Sequence, residues 1–124
     1  MQIIFQLKPV DYERARLHED EKGKFFDLCK ECFVAEALRR TVQEQQLPIY
    51  EVIVGWPQAI ITMEGMHYFA TMDDNLLRQI EIFDGEPHLR DDECWLSDIE
   101  REQRREELKI LKPTFGTHIL EFTR

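Results

Sequence analysis

The chain has 124 residues, 43% hydrophobic and 33% charged, with a formal net charge of -9. That length and balance predict one folded domain with a real hydrophobic core, not a disordered chain. No apolar run approaches the ~20 residues of a membrane span, and the first residues lack the basic and small-residue features of a signal peptide. With an odd number of cysteines, three, these features predict a cytoplasmic protein without a disulfide framework.

Residues 2–8 alternate, with Ile3, Phe5 and Leu7 on one face, and predict a half-buried strand ended by Pro9. Residues 10–21 are polar and predict at most a short helical turn, then an exposed loop at His18-Glu19-Asp20-Glu21. Lys24 to Gln46 carries a helical stripe, Leu28, Cys32, Ala35, Leu38 and Val42. Phe26, Phe33 and Ala37 form a second strip, nearly opposite. One long helix is predicted, sandwiched in the fold or with one strip meeting a partner or a second copy of itself in a homodimer. Pro48 stops it.

Ile49 to Val54 predicts a strand, broken by Gly55-Trp56-Pro57 and resumed at Ala59 to Met63. Glu64-Gly65 predicts a tight turn, and Met66 to Met72 a further strand with Met66, Tyr68, Ala70 and Met72 on one face. Asp73-Asp74-Asn75 is a turn or a helix cap. Residues 76–83 fit both periodicities; Ile80, Ile82 and Phe83 favour strand. Asp84 to Glu93 predicts a loop. Ser97-Asp98-Ile99-Glu100 is a capping-box pattern that starts a helix running to about Leu111, with Pro113 beyond it. Thr117 to Thr123 predicts a last strand with His118, Leu120 and Phe122 on one face. The order β-α-β-β-β-(β)-α-β predicts an α+β fold: a mainly antiparallel sheet of about five strands with two helices on one face.

The charge is concentrated. Residues 73–107 hold 13 of the 25 acids but only five of the 16 bases. Such a field repels nucleic acid and attracts cationic surfaces. Within it, the loop joins acids to Trp95, as interfaces place aromatic anchors inside polar rims. Asp84, Glu86, His88, Asp91, Asp92, Glu93, Trp95 and Asp98 are therefore the expected partner-binding residues. The next helix interleaves Glu100, Glu102, Glu106 and Glu107 with Arg101, Arg104, Arg105 and Lys109, which predicts a solvated face laced with weak ion pairs and not a DNA mimic.

Cys29-Lys30-Glu31-Cys32, with Cys94 and His88, offers four ligands of the type zinc takes. The pair falls inside a predicted helix, not on a knuckle, so no metal and no cofactor are expected. No catalytic motif surrounds His18, His67, His88 or His118, and no glycine-rich phosphate loop is present. The expectation is a non-enzymatic acidic protein that neutralises a basic partner, as an immunity protein or antitoxin inhibits a nuclease toxin, without touching nucleic acid or membrane itself. One alternative is a phage-type anti-defence inhibitor of nucleic-acid-binding machinery. Another is a small enzyme or ligand-binding protein whose site sequence does not reveal.

Overall fold

The computed structural model describes residues 1–88 and 96–124. Strand β1 (Gln2–Leu7) is followed by helix α1 (Pro9–Lys22), a 3-10 turn (Gly23–Phe25), α2 (Leu28–Glu31) and α3 (Phe33–Glu44). Then come β2 (Ile49–Val54), β3 (Gln58–Met63), β4 (Met66–Thr71), α4 (Asp74–Asp84), α5 (Asp98–Ile110) and β5 (Gly116–Glu121). The fold is α+β, as expected, but two features differ. The described strands form two antiparallel sheets, β2-β3-β4 and β1-β5, instead of one. They are joined where Phe69 and Thr123 exchange backbone hydrogen bonds of 2.7 and 2.9 Å. The described residues also hold five α-helices rather than two.

The β2–β4 meander follows its local chemistry. Gly55 N donates to Gln58 O at 2.9 Å to close the first turn, which contains a cis Trp56-Pro57 bond. Glu64 (φ 54°) and Gly65 (φ 75°) both take positive φ, the conformation a two-residue hairpin needs to match strand twist. Ile3, Phe5 and Leu7 of β1 and Leu120 of β5 point into the core, as does Phe122 just beyond β5.

Helix α1 was not expected. Its apolar stripe is almost empty, since only Asp11 and Ala15 are buried. It is specified by its start instead: Pro9 occupies the first turn, and Asp11 Oδ2 accepts from Lys8 N at 2.9 Å. Arg40 of α3 then grips Asp11, Nε to Oδ1 at 2.9 Å and Nη2 to Oδ2 at 3.0 Å. This bidentate contact raises the Arg40 pKa and locks α1 to α3.

The long helix predicted over 24–46 is interrupted twice. Asp27 Oδ1 caps α2, accepting from Cys29 N at 3.1 Å. Cys32 is extended and caps α3, its Sγ 3.5 Å from Ala35 N. The two apolar strips both face the core: Phe33, Ala35, Ala37 and Leu38 are fully buried, and Phe26 is half-buried against them. Residues 76–83 are helix, not strand. Asp73 Oδ1 caps α4 by accepting from Leu76 N at 2.8 Å, and Gly85 closes it in the left-handed region. Six residues of α4 are buried, so its apolar groups occupy too wide an arc to show one period.

Phe83, at the C-terminal end of α4, joins these parts. Its ring lies 5.6 Å from Tyr12, 6.0 Å from Phe33 and 6.1 Å from Phe26, with the Arg16 guanidinium 4.2 Å above it. Replacing Phe83 by Ala is expected to cost about 3–5 kcal/mol in urea unfolding. Phe25→Ala, at a site 78% exposed, should stay within about 0.5 kcal/mol. Equal losses for the two variants would contradict this placement of the core.

Candidate functional site

A cleft of about 400 Å³ opens between α4, α5 and the β2–β3 turn. The turn supplies Trp56; α4 supplies Asp74, Leu77, Arg78 and Glu81; α5 supplies Arg104, Glu107 and Leu108; Pro87 and His88 follow the α4 cap. His88 stacks on Trp56, with centroids 4.9 Å apart and planes 25° apart. Its Nε2 stands 3.0 Å from Asp84 Oδ2, and its backbone N donates to Glu81 Oε2 at 3.2 Å. Contact with Asp84 raises the His88 pKa above 6.5; burial opposes this, and the charges of Asp84, Glu81 and Glu86 reinforce it. The cleft thus has an aromatic wall, carboxylates and guanidinium groups of both signs, which suits a charged side chain better than an apolar ligand.

Helix α5 forms the outer wall. Ser97 starts it as the capping-box pattern predicts: Glu100 N donates to Ser97 Oγ at 3.2 Å, and Ser97 Oγ donates to Glu100 Oε1 at 3.1 Å. Of its thirteen residues only Leu108 is buried. Arg101, Arg104 and Arg105 are half-buried, while Glu102, Glu106, Glu107 and Lys109 are exposed. The outer face is laced with ion pairs, as expected: Arg105 meets Glu102 at 3.2 Å and Lys109 meets Glu106 at 2.7 Å. Beside Glu102 and Glu107 run Ile99, Gln103, Glu106 and Ile110, at i, i+4, i+7 and i+11, one stripe of the helix. Ile99 is 72% and Ile110 81% exposed.

The structure brings only part of the expected partner-binding set together. Asp84 and His88 pair at the cleft rim. Glu86 pairs with Arg105 Nε at 2.7 Å, and Arg105 Nη1 also reaches Glu102 at 3.2 Å. Asp98 is exposed in the first turn of α5. Asp91, Asp92, Glu93 and Trp95 lie outside the described residues. Trp56, Arg78 and the Ile99–Ile110 stripe were not singled out by the sequence. An exposed isoleucine at helical spacing reads as core until its surroundings are known, and no local pattern links Trp56 to a histidine 32 positions later.

The Cys-x-x-Cys pair does not form a knuckle. Cys29 is exposed on α2, and Cys32 is fully buried, where desolvation pushes its thiol up to about 12. Cys94 is outside the described residues. Among the described residues no three His, Cys, Asp or Glu side chains are grouped as metal ligands. His18 lies 3.4 Å from Glu36 Oε1, His67 shares a hydrogen bond with Thr62 Oγ1, and His118 packs against Phe5.

Two measurements check these environments. In an NMR titration His88 should titrate above 6.5 and His118, which burial lowers, below it. His88 then contributes stability that is fully present below about pH 6.5 and is lost as the pH rises through its folded value. His118 acts in the opposite sense: the unfolded chain takes up its proton first, so stability falls as the pH drops below about 6.5. His88→Gln should remove the first dependence alone; an unchanged profile would contradict the Asp84 contact. In peptide mapping after alkylation of native protein, Cys29 should be labelled and Cys32 spared until the chain unfolds.

No protein-family model, no curated protein and no solved structure matches this chain. Its function is therefore argued from the chemistry of this site.

Proposed function

We propose that the protein is a non-enzymatic binding protein that neutralises a cationic protein partner, docking it on the outer face of α5 and the rim of the cleft. The observation that carries this is the uncovered outer stripe of α5 that runs from Ile99 to Ile110. A thirteen-residue helix with one buried residue is marginal by itself, since helices gain most of their stability from a packed apolar face. Here the stripe Ile99–Ile110 is apolar at both ends, uncovered, carries Glu106 within it and is flanked by Glu102 and Glu107. Covering one isoleucine fully is worth roughly 1.5–3 kcal/mol, against about 0–1 kcal/mol for an exposed ion pair. The isoleucines would thus hold the partner, and the carboxylates would steer it in.

A nuclease fits this surface chemically. It must present basic groups to hold phosphates, and an acidic inhibitor closes such a surface directly. Immunity-protein or antitoxin action in the cytoplasm is the role we assign, and the same surface would serve an anti-defence inhibitor of nucleic-acid-binding machinery.

The test starts from a tagged chain, with its tight partners captured from native cells and identified by mass. A basic nuclease or nucleic-acid-binding protein is expected at equal stoichiometry. With that partner purified, changing Glu102, Glu106 and Glu107 to Lys should slow association mainly. The effect should shrink with salt, because exposed charges are screened over ~8 Å at physiological ionic strength. Ile99→Ala and Ile110→Ala should instead speed dissociation. Capture of no basic protein, or unchanged kinetics in the triple variant at low salt, would overturn the proposal.

A further inference from the structure

Among the described residues, strand β1 has a neighbour on one side only, β5. Met1 and Phe122 exchange two backbone hydrogen bonds, Phe122 N to Met1 O at 2.7 Å and the Met1 amine to Phe122 O at 2.8 Å. In an antiparallel ladder the bonded pairs recur every second residue. With the register Ile3↔Leu120, Phe5↔His118 and Leu7↔Gly116, residues 3, 5 and 7 face β5. The N–H and C=O groups of Gln2, Ile4 and Gln6 therefore point outward along the free edge. Arg40 Nη2 confirms this direction by donating to Gln6 O at 2.8 Å, which leaves that carbonyl a second lone pair.

Sheet edges are usually guarded by charge, bulges or proline. The opposite free edge, β2, is guarded: its register shifts between Ile49 and Glu51, and Glu51 Oε1 pairs with Lys30 at 3.3 Å. On β1 the guard is confined to one end, where Arg40 covers Gln6 O; among the described residues the stretch from Gln2 to Phe5 has none. Gln2-Ile3-Ile4-Phe5-Gln6-Leu7 carries no charge, no proline and no register shift. Ile4 is 51% exposed on the outer face.

We infer that this edge pairs with the same edge of a second copy, β1 against β1 in antiparallel order about a two-fold axis at Ile4. The segment is nearly palindromic about that residue. Ile4 meets Ile4 of the second copy, Gln2 meets Gln6, and Ile3 meets Phe5, so each face is matched to itself as an isologous contact requires. The outward backbone groups of Gln2, Ile4 and Gln6 then find partners. A groove of about 240 Å³ runs beside this edge, and its charged groups, Lys8, Arg40 and Glu44, include both signs. None of the described residues within 73–107, the stretch that carries most of the net charge, lines it, which limits the repulsion between two acidic chains that meet here. The contact is separate from the α5 surface and stands or falls independently of it.

Analytical ultracentrifugation of the full chain from about 1 to about 100 µM decides the matter, a range that covers weak and moderate self-association. The expected species at the upper end has twice the 14.9 kDa of one chain. Ile4→Lys places two like charges directly opposite each other and should leave a folded monomer, with an unchanged circular dichroism spectrum. Hydrogen exchange of the unaltered protein supplies a readout that needs no variant: the amides of Gln2, Ile4 and Gln6 should gain protection as concentration rises. A single-chain mass throughout the range would overturn the inference. So would a dimer that survives Ile4→Lys, or one whose Ile4 amide exchanges as fast as in the monomer.

Discussion

The structure depends on one aromatic contact point, Phe83. Its fully buried ring receives Tyr12 from α1, Phe33 from α3 and Phe26 from the link between them, and Arg16 closes it from above. Aromatic pairs in such tilted and edge-on arrangements add to the area they bury. Because Phe83 ends α4, pinning its ring fixes where α4 leaves the core. The α4 cap, His88 and the cleft follow within five residues, and α5 packs against α4. The Asp11–Arg40 contact ties the same N-terminal end of α1 to α3.

The acidic excess of the sequence divides into two uses. Several acids serve the fold itself. Asp73 caps α4, Glu81 accepts from the His88 backbone, Asp84 holds the His88 ring, and Glu86 shares Arg105 with Glu102. Others face water on α5, where Glu102 and Glu106 pair with Arg105 and Lys109 and Glu107 lies beside them. Net charge along a segment therefore overstates the field at its surface, and the arrangement of faces decides what a partner meets.

Much of the fold was legible where the signal is local. The hairpin turn at Glu64-Gly65, the alternation in β1 and β5 and the Ser97 capping box each need only a few neighbouring residues to act. The failures have definite causes. Helix α1 buries a charged Asp11 and an Ala15, so its inward stripe looks polar. Helix α4 is buried so widely that Ile80, Ile82 and Phe83 resemble a strand. Cys32 interrupts an otherwise continuous helical stripe by capping with sulfur, a role its residue type seldom signals. For the site, the sequence placed His88 and its acids together but not Trp56, whose stack on His88 arises only when the β2–β3 turn meets the end of α4.

The central claim is that the exposed stripe of α5 is a docking face. Hydrogen exchange over residues 98–110, in the free protein and in complex with the captured basic partner, tests it most directly. In the free protein these amides should exchange readily, because one buried side chain opposes fraying. On binding, protection should rise across residues 98–110 and stay unchanged in β2–β4. A complex that leaves residues 98–110 exchanging as in the free protein, while protecting another surface, would contradict the account.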